Sequence, residues 1–294
     1  MKNLVPLVAS DYACLLGEGP VWDAEKKSLL WVDILNSNIH QLEPNTGIRR
    51  VFNTGKFTGA IVLKESGGLI AALHDGFAEI DLETGKVGDT YTPNDHPEEN
   101  RFNDGKCDPR GRFWAGTMAL AETPAAGSLY MFSRDKSIIS KIKNVTISNG
   151  MAWTADEKLF YYIDTPTCNV VAYDFDANIG AIENKRTVIT IPDDFGWPDG
   201  MTIDTEGMLW IAFWDGWKIA RFNPFTGEQL LKVDLPVARV TCCTFGGENL
   251  DDIYITTASV SLTDQQLAGQ PLAGATFVIK NSGYRGLPPH RFKG

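Results

Sequence analysis

Three polar side chains in this chain stand directly before a glycine, each at the start of a short apolar run. They are Glu18, Asn149 and Asp199. Two carboxylates and one amide carbonyl form an oxygen-only ligand set, which suits Ca²⁺, Mg²⁺ or Mn²⁺ and is also compatible with Zn²⁺. If the three positions are equivalent in a repeating fold, they converge on one point. The pattern is equally consistent with polar residues that shape turns through local hydrogen bonds, and spacing alone does not decide.

Two further polar residues lie a few positions before another glycine. Arg101 and Asn103 precede a fourth glycine, Gly105. A guanidinium can form paired hydrogen bonds to ring or exocyclic oxygens, and an amide can both donate and accept. They are therefore candidate substrate-binding residues, although solvated loop residues would look the same.

Other common catalytic machinery is missing from the sequence. The four histidines form no HExxH motif, and there is no G-x-S-x-G nucleophile elbow or glycine-rich phosphate loop. Cys14, Cys107 and Cys168 lie on or beside apolar runs, and we interpret them as packing residues. The chemistry is therefore expected from carboxylates and amides.

The elements that would position these residues recur six times. The openings of the repeats fall at Gly19, Gly59, Gly105, Gly150, Gly200 and Thr241. A spacing in the forties is typical of one four-stranded propeller blade. Each opening is followed by short runs rich in Val, Ile, Phe, Tyr and Trp, separated by turn residues, as strands and hairpins require. The sequence predicts an all-β, six-bladed propeller.

The ring has to be closed by the two ends of the chain. Five repeats carry a fourth, more polar strand, for example Leu230–Val233, but the sixth runs out of chain. We expect the apolar run Leu4–Val8 to supply the missing strand beside residues 275–280, which would leave few exposed edges. Because blades bury their faces only against neighbouring blades, residues 1–294 are predicted to form a single domain.

Composition limits the partners. The formal net charge of −10 disfavours nucleic acid and anionic membranes. No apolar stretch is long enough to span a bilayer, and the N-terminal apolar run is too short for a signal peptide. Five cysteines, an odd number, do not suggest a disulfide framework. We expect a cytoplasmic protein, a monomer or weak dimer, that acts on a small molecule.

Six motifs in order resemble the SMP-30/gluconolactonase/LRE family, and the similarity extends over essentially the whole chain. They are Asn100–Lys106, Ala115–Ala119, Ile147–Gly150, Phe160–Asp164, Pro198–Met201 and Phe245–Gly247. The resemblance implies a six-bladed propeller that holds one divalent cation and hydrolyses sugar lactones to aldonic acids. It implies metal ligation by Glu18, Asn149 and Asp199, and substrate binding by Arg101 and Asn103. Asp199, an acid beside both cation and substrate, is the candidate general base.

One motif departs from the family pattern. The pattern has two glutamates directly after Gly-Thr-Met-Ala, the second of which contacts substrate. Here Glu122 takes that place only if one residue is inserted, and the loop after it is shorter. Glu122 is thus a third candidate for substrate binding, and the identity of the lactone stays open. So does the native cation, which could be Ca²⁺, Zn²⁺, Mn²⁺, Mg²⁺ or Fe²⁺.

Two alternatives stay open beside the lactonase hypothesis. The same scaffold and metal suit hydrolysis of organophosphates or other esters, because a fold does not fix a function. The second alternative is a non-enzymatic calcium-binding protein. An EF-hand is absent from the sequence, and one site of three residues offers little buffering capacity.

Overall fold

The computed structural model describes residues 4–294; residues 1–3 of the predicted 1–294 domain lie outside the described residues. Six four-stranded antiparallel sheets form a ring, which confirms the predicted six-bladed β-propeller. In each of the first five sheets the four strands follow one another in chain order, from an innermost to an outermost strand.

The strands of the first three blades have the following bounds. Blade one contains β2 (Gly17–Asp23), β3 (Ser28–Asp33), β4 (Asn38–Glu43) and β5 (Ile48–Asn53). Blade two contains β6 (Thr58–Leu63), β7 (Leu69–Leu73), β8 (Phe77–Ile80) and β9 (Val87–Tyr91). Blade three contains β10 (Asn100–Cys107), β11 (Phe113–Ala119), β12 (Gly127–Phe132) and β13 (Ile138–Val145).

The remaining blades complete the ring. Blade four contains β14 (Ser148–Trp153), β15 (Leu159–Asp164), β16 (Asn169–Asp176) and β17 (Ala181–Thr190). Blade five contains β18 (Trp197–Ile203), β19 (Leu209–Trp214), β20 (Lys218–Phe222) and β21 (Gln229–Asp234). Blade six contains β22 (Val240–Gly246), β23 (Asp252–Thr257) and β24 (Thr276–Ile279), together with the N-terminal β1 (Leu7–Ser10).

Helices are a minor part of the described chain. Two single turns of 3₁₀-helix lie at Thr165–Thr167 and Asp193–Phe195. The helix α1 (Asp264–Gly269) connects β23 and β24 and begins with a capping box between Thr263 and Gln266. At six residues, α1 is too short to give the periodic apolar pattern by which a helix is predicted from sequence.

Ring closure by the N-terminal strand is confirmed, with bounds that differ from the predicted ones. The strand β1 spans Leu7–Ser10 instead of Leu4–Val8, and Val8 pairs with Phe277 of β24. Pro6 has no amide hydrogen to give to a ladder, which explains why pairing begins after it.

Six apolar clusters fill the spaces between neighbouring blades. The cluster between blades six and one is the smallest. It contains seven buried residues: Cys14, Trp22, Leu29, Trp31, Leu42, Tyr254 and Val278. The seam between blades six and one, where the last and first blades of the ring meet, therefore has the least apolar packing.

Candidate active site

The starts of the innermost strands surround one cavity of about 510 Å³. Every residue that the sequence nominated lines it: Glu18, Arg101, Asn103, Glu122, Asn149 and Asp199. The volume lies within the range of ligand-binding pockets. The structure thus brings together residues that are more than 180 positions apart in the chain.

Each of the three innermost strands that carry a predicted metal ligand has a β-bulge at that ligand. Pairing shifts register between Glu18 and Val21, between Asn149 and Met151, and between Pro198 and Met201. Bulges re-aim side chains and are common beside active sites. They explain why side chains of neighbouring strands are directed into the same cavity.

Crowding requires a glycine at positions 150 and 200, whereas at position 19 the backbone conformation favours one. A Cβ on Gly150 would lie 2.9 Å from the carbonyl oxygen of Asp199. Gly19 adopts φ +51°, a conformation that side chains disfavour. The glycines therefore let the strands approach closely enough for the three oxygen donors to converge.

Asn149 is held in one orientation by its neighbours. Its Oδ1 accepts from Asn103 Nδ2 at 3.0 Å, and its Nδ2 donates to Thr165 Oγ1 at 2.8 Å. Thr165 in turn donates to the carbonyl of Pro198, the residue before Asp199, at 2.8 Å. This network assigns the amide oxygen of Asn149 to the cavity side, and the oxygen retains a second lone pair for a ligand.

Arg101 and Asn103 form a second part of the same network. Arg101 Nη1 donates to Asn103 Oδ1 at 2.7 Å and to the carbonyl of Phe102 at 3.0 Å. Burial lowers the pKa of Arg101 to about 10, opposed by the negative charges of Glu18, Glu122 and Asp199. The guanidinium is therefore charged at neutral pH and faces an acidic cavity.

Glu18 and Asp199, the two buried carboxylates of the site, have too little positive charge nearby to balance their negative charges. Burial is the main cause that raises the pKa of Glu18 to about 8, and the nearby charge of Asp104 adds to it. Burial and the charges of Glu18 and Asp104 likewise raise the pKa of Asp199 well above its ordinary value. Crowded acidic oxygens with raised pKa values are what a divalent cation would relieve, so Glu18, Asn149 and Asp199 fit one.

Asp104 is a functional candidate that the sequence reasoning missed. It directly precedes Gly105, the same phase as Glu18, Asn149 and Asp199, so the signal was present in the sequence. Its side chain lines a smaller cavity of about 80 Å³ farther along the ring axis, together with Lys106. Asp104 therefore does not line the main cavity, and its negative charge acts on the site from the neighbouring smaller cavity.

Glu122 lies at the mouth of the cavity. It is exposed, adopts φ +54° and follows β11 in a turn in which its amide donates to the carbonyl of Ala119 at 2.9 Å. The insertion noted in the sequence is thus accommodated as a tight turn. Arg101 of β10 pairs with Met118 of β11, so Glu122 lies at the same end of that strand pair as Arg101, and both side chains line the cavity.

The walls of the cavity are largely apolar, whereas its floor is polar. Trp197, Trp214, Leu120, Leu35 and Val260 line it, and the exposed fraction of Trp197 is 47%. The site can therefore bind the polar part of a ligand at the ring axis while apolar side chains contact the part nearer solvent.

A second group of potential metal ligands lies outside this cavity and was not predicted. Asp33 and His40 lie on β3 and β4 of blade one and Cys14 lies in the segment before β2, all buried with their ligand atoms within 4.8 Å of one another. Cys14 is buried in the apolar seam, as expected of a packing residue, but it also belongs to this group. The three residues come from separate segments of the chain, so no local sequence motif predicts that they lie together.

The described part of the chain contains no helix that is both long and apolar enough to cross a membrane.

Comparisons with known proteins agree with the architecture. The family model described as SMP-30/Gluconolactonase/LRE-like region matches residues 16–259. Regucalcin of Danio rerio is 40% identical over 281 residues, which cover 95% of this chain and 95% of the relative. The Bacillus subtilis protein named "Putative sugar lactone lactonase YvrE" is 38% identical over 284 residues, 96% of this chain and 97% of the relative.

The similarity extends to a solved structure. A luciferin-regenerating enzyme superposes with a TM-score of 0.91 at 31% identity, covering 99% of this chain and 100% of that structure. All six residues nominated for the cavity fall within the region that the family model matches.

Proposed function

Because the chain belongs to the SMP-30/gluconolactonase/LRE-like family, we propose that it hydrolyses a sugar lactone to the aldonic acid with one divalent cation. The observation that carries this proposal is the convergence of Glu18, Asn149 and Asp199 on a cavity that also contains Arg101 and Asn103. Family membership supports the reaction class, and the cavity supplies the groups that such a reaction needs.

Glu18, Asn149 and Asp199 would hold the cation. All three donors are oxygens, which favours Ca²⁺, with Zn²⁺, Mn²⁺, Mg²⁺ and Fe²⁺ as alternatives. When bound, the cation supplies electrostatic stabilisation of the negative charge that develops on the lactone carbonyl oxygen.

Asp199 would act as the general base. Its carboxylate takes a proton from water while the water oxygen bonds to the lactone carbonyl carbon. The ring C–O bond then breaks and the ring oxygen takes up the proton, which leaves the open hydroxy acid. Its position in the cavity beside Glu18, Asn149 and Arg101 supports this role, because a general base has to reach the proton that it takes.

Arg101, Asn103 and Glu122 would bind the sugar hydroxyls. Arg101 uses Nη1 for its hydrogen bonds to described residues, so Nη2 is available to a substrate oxygen. Asn103 already donates to Asn149 and accepts from Arg101, which supports an orienting contribution beside substrate contact. Glu122 at the mouth would accept from a hydroxyl.

We also propose that residues 1–294 form one domain that acts in the cytoplasm as a monomer or weak dimer. The thiols of Cys14, Cys107, Cys168, Cys242 and Cys243 are free, which suits a reducing compartment.

The apolar walls favour a second candidate function, the hydrolysis of an ester or organophosphate with an apolar substituent. Trp197 and Trp214 offer aromatic contact surface near the cavity mouth, as ligands with apolar groups require. The same metal-dependent chemistry would serve both substrate classes. Assays of lactones and organophosphates on one metal-loaded preparation separate the two candidates.

The test is a screen of glucono-, galactono-, xylono- and arabinonolactone after chelation and reloading with each cation, corrected for spontaneous hydrolysis. Asp199→Asn keeps the size and one oxygen but removes the base, so turnover at saturating cation should fall about 10²–10⁴-fold. The matched control is Asp194→Asn, an exposed acid five residues upstream. Wild-type turnover in Asp199→Asn with metal bound would exclude Asp199 as the base. Tight calcium binding without turnover of any lactone would favour the non-enzymatic alternative.

A further inference from the structure

Cys14, Asp33 and His40 are buried together, and each offers a different kind of metal-ligand atom. Sγ of Cys14, a carboxylate oxygen of Asp33 and a ring nitrogen of His40 all lie within 4.8 Å of each other. All three side chains have an exposed fraction of 0%. The group lies between blades six and one, away from the oxygen-only site at the ring axis.

His40 is the observation that points to a ligand. Neither of its ring nitrogens has a hydrogen-bond partner among the described residues. Leaving a buried polar group without a partner typically costs about 1–3 kcal/mol, so such groups call for an explanation such as a bound ion. Its ring stacks on Trp31 at 4.9 Å between centroids and contacts the ring of Tyr12 at 4.6 Å. These contacts fix the orientation of the imidazole without using its nitrogens.

The imidazole is available as a ligand. Because neither ring nitrogen has a hydrogen-bond partner among the described residues, the neutral ring offers one lone pair to an ion. Neutral imidazole is the form in which histidine binds metals.

Asp33 and Cys14 are also held in place by neighbouring groups. Asp33 accepts from the amides of Leu15 at 3.1 Å and Leu16 at 3.0 Å, and from Asn36 Nδ2 at 2.7 Å. A carboxylate offers about four acceptor positions, so one remains. The indole of Trp31 donates to Cys14 Sγ at 3.4 Å. Such supporting hydrogen bonds are typical of residues that ligate metals.

We propose that Cys14, Asp33 and His40 form a second metal site, one that takes a thiophilic transition-metal ion such as Zn²⁺. Sulfur, nitrogen and oxygen together match the ligands of zinc, whereas the oxygen-only site at the ring axis suits hard cations. On binding, the thiol releases its proton to solvent, and thiolate and carboxylate together offset the charge of a divalent ion. A tetrahedral zinc needs ligand atoms about 3.3–3.6 Å apart, so the three side chains have to move together by roughly 1 Å.

The position of the site indicates a structural role. The amide of Cys14 donates to the carbonyl of Gly274 at 3.0 Å, and its carbonyl accepts from Ser259 Oγ at 2.8 Å, both beside blade six. Asp33 holds the amides of Leu15 and Leu16, just before Glu18. A bound ion would therefore tie the closing seam, where apolar packing is smallest.

Cobalt(II) is the probe, because a cobalt–thiolate bond gives a charge-transfer absorption that oxygen ligands do not. Titration of the chelated full-length protein should show this band, which should stop growing by two equivalents because the oxygen-only site takes up cobalt without adding to it, and Zn²⁺ should abolish the band by competition. Cys14→Ser should lose the band, and so should His40→Phe, which keeps an aromatic ring beside Trp31 but has no nitrogen. Cys168→Ser removes the partly exposed thiol and should keep the band.

The variant Asp199→Asn separates this proposal from the proposed function. It alters the cavity at the ring axis and should retain the full thiolate–cobalt band and the rise in Tm on adding Zn²⁺. That rise should be smaller in the double variant His40→Phe/Asp199→Asn, a measurement that tests the site if Cys14→Ser does not fold. No band in the wild type, or a band of wild-type intensity in Cys14→Ser, would overturn the assignment.

Discussion

Replacing Glu18 with Gln should stabilise the protein when metal has been removed and destabilise it when metal is present. The cause is the raised pKa of Glu18, from 4.5 to about 8, produced first by burial and then by the charge of Asp104. The Gln side chain removes the titrating charge and keeps an oxygen that can accept from the amide of Gly19, as Glu18 Oε2 does at 3.0 Å.

The sign and size of the effect follow from linkage. A carboxyl group whose pKa is higher in the folded state binds its proton more tightly there, so folding stability falls as pH rises from 4.5 toward 8. For these two values the loss in the free energy of unfolding is about 3 kcal/mol at pH 7 and less than about 1 kcal/mol at pH 5. In a chain of this length, 3 kcal/mol corresponds to roughly 5–10 °C in Tm.

Thermal melts of wild type and Glu18→Gln in chelator at pH 5 and pH 8 measure this effect. The variant should melt higher at pH 8, with little difference at pH 5. Saturating cation should reverse the order, because it stabilises only the protein that binds it. Glu248→Gln, an exposed substitution, is the control and should change neither melt. A lower Tm for Glu18→Gln in chelator at pH 8 would refute the crowding of charge at this site.

Three other predictions concern the substrate residues, the ring closure and the core. Arg101→Ala should bind the cation as tightly as wild type by calorimetry yet lose kcat/KM, whereas Asn103→Ala should also weaken the cation modestly because Asn149 Oδ1 loses its donor. Equal cation affinity in the two variants would contradict the orienting contribution of Asn103. Deleting residues 1–10 removes β1 from the edge of β24 and should lower Tm by roughly 5 °C or more; an unchanged melt would mean that β1 does not stabilise the ring. Asp204→Ala removes the acceptor of Arg221 Nε at 2.7 Å and Trp210 Nε1 at 3.0 Å, so we expect a loss of about 3–5 kcal/mol on denaturant unfolding, with cation affinity unchanged in the folded protein. Weakened cation binding there would place Asp204 in the site.

The repeat predicted the blades because five of the six open with a glycine at the same position, followed by similar short strands and turns. The same phase located Glu18, Asn149 and Asp199, whose convergence depends only on rotation about the ring axis. The bounds of β1 were less predictable. The apolar pattern covers Leu4–Val8, but pairing begins only after Pro6, and the strand spans Leu7–Ser10. Cys14, Asp33 and His40 could not be found from sequence, because their proximity arises from one sheet and the segment leading into it.

Closure by β1 also determines the order in which the ring can form during synthesis. Of the described strands, β1 is made first, and it pairs with β24, which is made last. Leu7 and Val8 are 54% and 44% exposed even in the finished ring, so β1 gains little from early apolar contacts. Blades one to five can assemble as they emerge, since each is built from contiguous strands. The last step must join segments that are distant in sequence, the kind of contact that forms slowly. Until that step, blade six lacks its outermost strand, and a nascent chain interrupted there would present the edge of β24 to other chains.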